Sequence, residues 1–280
     1  MRFASSRQDR ARSVSGVMQP ERINLMGIGL SVVNLDTARD FILTAIRDGR
    51  RGHVCVRDAH GVVRAQKDEA LRQAHNSAFL VTPDGMPLVW ALRLAGHVHA
   101  GRVYGPDLME TLLDAGRQQK VGHFLYGTTQ DTLDRLEARL LRRFPGARIV
   151  GRIAPPFRAL TPGEEVDIAA RINASGADIV WVGLSTPRQE LWMQTMRARL
   201  EASMLIGVGA AFDFHAGNKA QAPKFIQRSG MEWAFRLACE PRRLWSRYAV
   251  TIPCFIGLAL AQSLRLRRFP LQDNRPGQGG

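Results

Sequence analysis

Asp84 is the residue of this chain best placed by its neighbours to do chemistry. The apolar run Phe79-Leu80-Val81-Thr82 stops at Pro83-Asp84-Gly85, and Pro87-Leu88-Val89-Trp90-Ala91-Leu92 then reads as the start of a helix. Thr82 and Asp84 therefore fall at the carboxyl end of a strand, where open α/β sheets take up ligands. A carboxylate held there can act as a general base. Pro-Asp-Gly is equally common turn chemistry, with the aspartate bonding its own backbone, and the motif alone does not separate the two readings. Arg102 lies shortly before Val103-Tyr104-Gly105-Pro106. A guanidinium ahead of a Pro-capped helix can clamp a diphosphate bidentately, and it can also be a surface arginine.

Other polar residues end apolar runs in the same way: Arg57-Asp58-Ala59-His60, Gly127-Thr128-Thr129, Ser185-Thr186-Pro187-Arg188-Gln189 and Asp213. Their convergence on one sheet edge would make a site. Each has a structural alternative. Gln189 stands three residues after Thr186, the spacing of a capping box. Gly127-Thr128 can hold a phosphate on free N–H groups or cap a helix, and His60 can be a satisfied structural histidine. Gly207-Val208-Gly209-Ala210-Ala211-Phe212 lacks the third glycine of a dinucleotide fingerprint and lies on the last strand, so a nicotinamide site is rejected. No Gly-x-x-x-x-Gly-Lys-Ser/Thr, no Gly-x-Ser-x-Gly and no close His and Cys set supports phosphate hydrolysis, serine hydrolysis or structural zinc.

The elements that must carry these residues alternate. Ile23 to Val33 is a short apolar segment, and Asp36 is read as the cap of a helix running to Ile46. Strands are expected at His53–Val56, Phe79–Thr82, Val121–Tyr126, Arg148–Gly151, Ala177–Leu184 and Met204–Val208. Helices are expected over Gly61–Ala74, from Pro87, from Pro106, from Thr128 or Thr129 to Phe144, from the capping-box pattern Thr161-Pro162-Gly163-Glu164, and from Pro187 to Leu200. Most strands are apolar on both faces, which predicts a doubly wound, mostly parallel sheet with helices on both faces.

The chain has 280 residues, 45% hydrophobic and 23% charged, enough for a sizeable core. Its three cysteines fall at no disulfide or metal spacing. The net charge of +14 is concentrated toward the end: from Asn218 onward, eleven Lys and Arg face three acids, a net of +8. Such a segment implies an anionic partner. Trp233, Phe235, Leu237, Leu244, Trp245 and Tyr248 interleave with Arg236, Arg242, Arg243 and Arg247 on what read as short helices, a mix suited to a membrane interface. No helix-turn-helix, RNP or zinc-finger pattern accompanies the charge, so nucleic acid is not expected as a partner. No signal peptide is evident in Met1–Glu21. The uncharged stretch between Arg247 and Arg265 contains Pro253, Gly257 and Gln262 and is read as interfacial or packed on protein rather than as a secure span.

Five segments in order carry a resemblance: Thr82-Pro83-Asp84-Gly85-Met86, Arg102-Val103-Tyr104-Gly105-Pro106-Asp107-Leu108, Val182-Gly183-Leu184-Ser185-Thr186-Pro187-Arg188-Gln189-Glu190, Gly207-Val208-Gly209-Ala210-Ala211-Phe212-Asp213-Phe214 and Glu240-Pro241-Arg242-Arg243-Leu244. Together, from about Ile23 to Tyr248, the chain resembles the WecG/TagA/CpsF glycosyltransferases. The resemblance implies a Rossmann-like α/β core with a basic helical C-terminal appendage. It also implies inverting transfer of a sugar from UDP to a polyprenyl-diphosphate-linked sugar, with no metal and no cofactor. The enzyme would work peripherally on the anionic cytoplasmic face of the inner membrane, in exopolysaccharide or other surface-glycan assembly. Asp84 would be the general base, and Thr82, Asp58, His60, Arg102, Gly127, Gly183, Gln189 and Asp213 would contact substrate. Arg236, Arg242, Arg243 and Arg247 would meet diphosphate or membrane. The expected organisation is a mobile arm over 1–22, a core over 23–217, the appendage over 218–268 and a disordered tail over 269–280. Many relatives carry a threonine and an asparagine where this chain has Val56 and Asp58, which leaves the donor open among N-acetylmannosamine, its uronic acid and glucose types. The competing reading is a non-catalytic protein that binds nucleic acid or membrane through its basic segment. Self-association through the appendage also stays open.

Overall fold

The computed structural model describes residues 19–272. The expected arm falls largely, and the expected disordered tail partly, outside them. In chain order the elements begin with β1 (Arg22–Leu25), β2 (Ile28–Ser31), α1 (Leu35–Arg47), β3 (Gly52–Arg57), α2 (Ala59–Ala65), α3 (Glu69–Asn76), β4 (Leu80–Pro83) and α4 (Met86–Leu94). Then come α5 (Gly105–Ala115), β5 (Gly122–Gly127), α6 (Gln130–Arg143), β6 (Arg148–Ile153), α7 (Pro162–Ala174), β7 (Ile179–Gly183) and α8 (Arg188–Met196). The chain closes with β8 (Met204–Gly207), α9 (Ala211–Ala216), α10 (Lys224–Ser229), α11 (Glu232–Cys239) and α12 (Pro241–Ser263). Strands and helices alternate as expected, and the class is α/β and Rossmann-like. The chain divides into two compact units: one takes Leu35–Val56 and Tyr104–Ala220, the other the described residues up to Asn34, Arg57–Val103 and those from Gln221 on.

The first of these units holds a parallel sheet in the order β3-β8-β7-β5-β6. Val54, Ile179, Val180, Trp181, Val182, Leu205 and Ile206 are completely buried, because helices flank the sheet and leave no wet face. The outermost strand, β6, is the exception. Its Arg148 and Arg152 suit an edge that must not recruit another strand. At the carboxyl ends β5 and β7 come very close. Gly127 has φ +136, and a Cβ there would lie 2.6 Å from the carbonyl oxygen of Gly183; one on Gly183 would strike the Phe212 ring. Thr129 caps α6, and Thr161 with Glu164 forms the capping box of α7, both as their sequences predict.

The other unit starts with a feature the sequence reading left as a bare apolar segment. β1 and β2 form an antiparallel hairpin turned by Met26 (φ 53) and Gly27 (φ 80), the pair of left-handed residues a two-residue hairpin needs. Asn24 Oδ1 accepts the Gly27 N–H at 2.8 Å, and Asn76 brackets the turn by accepting from Gly29 and donating to the Gly27 carbonyl. The Gln262 side chain, at the end of α12, bonds Met26 N–H and the Asn24 carbonyl.

Three local expectations are corrected. The single helix over Gly61–Ala74 is two, because Asp68 takes an extended conformation and caps α3 through the Leu71 N–H. Asp36 lies inside the first turn of α1, which starts at Leu35. The short helices of the basic segment culminate in α12, a continuous helix of 23 residues through Pro253. Pro253 and Ala249, the residue whose carbonyl loses its partner, are both exposed, so that carbonyl can be satisfied from outside. By length and composition alone α12 could cross a membrane. Only Leu244, Thr251 and Phe255 of it are buried, a stripe at helical spacing in a helix that packs on α2.

Gly127→Ala is expected to destabilise the parallel-sheet unit by about 1–3 kcal/mol, the cost of a side chain in a strained backbone region, plus the clash with Gly183. Gly146, also left-handed but with nothing within 4 Å of a Cβ, provides the comparison. Urea unfolding should show the Gly127→Ala loss clearly exceeding that of Gly146→Ala.

Candidate active site

The Asp84 turn is pinned through its backbone. The Asp84 N–H donates to the Arg57 carbonyl at 2.7 Å, and the Pro83 carbonyl accepts the Val103 N–H at 2.8 Å. The Asp84 carbonyl accepts from Arg102 Nε at 2.5 Å. With both its own backbone groups engaged, Asp84 has little freedom beyond its side-chain torsions. Thr82, two residues earlier, is fully buried, and its hydroxyl has no hydrogen-bond partner among the described residues.

Arg102 joins this turn to α11. Its Nη2 lies 3.3 Å from Asp84 Oδ1 and 2.5 Å from Glu232 Oε2, and all three side chains are three-quarters or more buried. Burial raises the Asp84 carboxyl from its ordinary range to about 7; Arg102 and Arg236 pull it down, while Glu232 and Asp58 push it further up. A carboxyl balanced near neutrality is ionised often enough to accept a proton and basic enough to hold it.

Asp58 meets a different fate a few residues away in the cluster. Its Oδ1 caps α2 by accepting the Gly61 N–H at 2.8 Å, and its Oδ2 pairs with Arg247 Nη2 of α12 at 2.7 Å. Burial alone would raise its pKa, but Arg247, Arg57 and the Gly61 N–H outweigh it and the carboxyl is held below the ordinary range. His60, in the first turn of α2, places Nδ1 3.0 Å from the hydroxyl of Thr251 on α12. Burial first, then Arg247, lowers its pKa, so its ring is neutral near pH 7.

The structure thus gathers Asp84, Thr82, Arg102, Asp58, His60, Arg236 and Arg247 in one unit. Arg242 and Arg243 stand apart from that cluster: both are exposed, and Arg243 pairs with Glu240. Gly127, Gly183, Gln189 and Asp213 belong to the parallel-sheet unit. Close strand packing accounts for both glycines. Asp213 pairs with Lys219 at 3.3 Å in the first turn of α9. Gln189 does not form the capping box its spacing predicts. α8 begins after Pro187 without a side-chain cap, and Thr186 bonds Glu190 instead. The buried Gln189 amide lies against Gly207 and Gly209 at the end of β8, donates to Glu190 at 2.7 Å and leaves Oε1 without a partner among the described residues. Sequence reasoning missed Glu232 and Thr251, and it named Arg57 as part of a strand end without giving it a role. Glu232 had a signal, as one of only three acids in a segment of eleven basic residues. Among the described residues no group of three or more His, Cys, Asp or Glu is placed to hold a metal ion.

A near-neutral carboxyl beside arginines suits the transfer of a group from an anionic leaving group to a hydroxyl, and here it sits on an α/β fold. The chain belongs to the glycosyl transferase WecG/TagA/CpsF family, whose model matches residues 23–269. Among curated proteins it is similar to the N-acetylglucosaminyldiphosphoundecaprenol N-acetyl-beta-D-mannosaminyltransferase of Bacillus spizizenii, with 32% identity over 185 residues, 66% of this chain and 69% of that protein. The reading as a non-catalytic basic binding protein gives way to an enzyme.

The Asp58–Arg247 pair ties α12 to α2 through partly exposed groups, so a double-mutant cycle with Asp58→Asn and Arg247→Ala should give a coupling of only about 0.5–1 kcal/mol. Asn preserves the helix cap. Because the folded-state pKa of Asp58 is depressed, this stability is present above the unfolded value of about 4 and is lost as pH falls through the folded one. Denaturant unfolding should find the coupling intact at pH 5 and shrinking below pH 3.8.

Proposed function

We propose that the chain is an inverting, metal-independent transferase that moves a sugar from a UDP-sugar to a polyprenyl-diphosphate-linked sugar in exopolysaccharide or related surface-glycan assembly. The observation that carries this reading is the Asp84 carboxyl, fixed at a strand end and raised to about 7 by burial. Asp84 removes the proton of the acceptor hydroxyl as that oxygen attacks the anomeric carbon from the side opposite UDP. The new glycosidic bond forms as the bond to the UDP oxygen breaks. Arg102 and Arg236, whose charges act on Asp84, offset the negative charge gathering on the departing diphosphate, the part a metal plays in other transferases. Thr82 offers a buried hydroxyl that lacks a hydrogen-bond partner among the described residues, as a group that binds a sugar hydroxyl would. N-acetylmannosamine is the donor sugar favoured by the name of the Bacillus spizizenii relative, and N-acetylglucosamine on diphosphoundecaprenol is the acceptor it favours.

The lipid-linked acceptor brings the enzyme to the cytoplasmic face of the membrane, and residues 218–268 form the appendage that meets it. Among the described residues, twelve of the fifteen large exposed hydrophobic side chains belong to the unit that holds Asp84, including Trp90, Leu94, Phe225, Trp245, Ile256 and Leu260. That concentration favours this unit as the one that meets lipid. With Leu244, Thr251 and Phe255 turned onto protein, α12 lies along the interface rather than through it. Each arginine near an anionic leaflet adds roughly 1 kcal/mol, so Arg242 and Arg243 make attachment reversible and salt-sensitive.

Asp84→Asn should retain the thermal stabilisation given by UDP or a UDP-sugar while turnover falls at least about a hundredfold; near-normal turnover would remove Asp84 from the base role. Ile256→Glu with Leu260→Glu should abolish sedimentation with anionic vesicles and leave the UDP thermal shift unchanged. Undiminished sedimentation would exclude α12 as the attachment.

A further inference from the structure

No residue of α11 is fully buried, and its Glu232 side chain is largely enclosed. Its described contacts include Glu232 on Arg102 and Trp233 edge-on to Tyr248 of α12. We propose that Glu232 is a positioning residue for the transfer reaction: through Arg102 it docks α11 onto the Asp84 turn and sets the electrostatic balance in which Asp84 works.

The geometry gives Glu232 a stronger hold on the shared guanidinium than Asp84 has. Both carboxylates meet the same nitrogen, Nη2, but Glu232 does so at 2.5 Å and Asp84 at 3.3 Å. Arg102 Nε is meanwhile fixed on the Asp84 carbonyl. The guanidinium plane therefore has one anchor on the turn and one on α11, and Asp84 receives only a share of its charge. The groups acting on Asp84 are Arg102 ahead of α5, Glu232 and Arg236 on α11, and Asp58 capping α2. Undocking α11 would remove one raising and one lowering influence together and free the Arg102 side chain from its second anchor. Base strength is in this way coupled to the docked state of the appendage.

The inference rests on Asp84 as the base, and its test has a readout independent of turnover. In full-length protein with carboxyl-13C aspartate, the Asp84 signal, assigned by its loss in Asp84→Asn, is titrated by NMR. The midpoint should lie near 7 in the wild type and fall by about one unit in Glu232→Gln, which removes a like charge but keeps an oxygen for Arg102. The acid limb of kcat/KM should move to lower pH with it, and Glu232→Asp should restore part of the shift. An unmoved midpoint in a folded Glu232→Gln protein overturns the role of Glu232. A midpoint that moves in a chain with no UDP-sugar turnover supports the hold of Glu232 on Asp84 and overturns the transferase reading instead.

Discussion

The unit that carries Asp84 depends on one guanidinium. Arg102 bonds the Asp84 backbone carbonyl, faces its carboxylate and ion-pairs with Glu232. A buried ion pair contributes little net stability, because desolvating the charges offsets most of their attraction. What it supplies is position: the planar fork of arginine allows few arrangements of three oxygens around it. The apolar core of this unit, from Leu25, Ile28 and Leu30 to Leu80, Leu88 and Leu92, lies in the hairpin, β4 and α4. α11, by contrast, has no fully buried residue. Hydrophobic burial thus holds the turn, and the Arg102–Glu232 ion pair joins α11 to it. An element with no fully buried residue belongs to the low-stability end of a protein.

Those features that rest on short-range rules were legible in the sequence. Buried parallel strands announce themselves as continuous apolar runs, as Ile179–Val182 does, and the caps at Thr129 and Thr161 follow from side chains three residues apart. The failures have equally specific causes. The split at Asp68 was hidden because Gln66-Lys67-Asp68 looks like the solvated face of one helix. The hairpin was hidden because Met26, a poor candidate for positive φ, takes the position where asparagine or glycine is expected. α12 was underestimated because a proline reads as a break, yet its missing hydrogen bond costs less where the freed carbonyl faces out.

In the site the same division holds. The strand-end residues were found because strand, turn and helix starts are local patterns. Their partners were not. Glu232 reaches Arg102 across 130 positions and Thr251 reaches His60 across 191, and neither contact has a local signature. Gln189 shows the opposite hazard: its spacing from Thr186 fits a capping box, but α8 opens without a side-chain cap and the amide turns toward Gly207 and Gly209.

Asp58 and Asp84 show how one cluster gives two carboxylates different work. Both are drawn into a partly dry site, and burial pushes both upward. Asp58 escapes because Arg247 is directed at it at 2.7 Å, with Arg57 and the Gly61 N–H adding to the effect. Asp84 does not, because its arginine is shared with a second carboxylate that holds it more closely. Possession of a cation, rather than depth of burial, separates the anchor from the proposed base. The charge of Asp58 is therefore compensated within the protein: its pair with Arg247 fastens α12 to α2, in the unit that also holds the Asp84 turn.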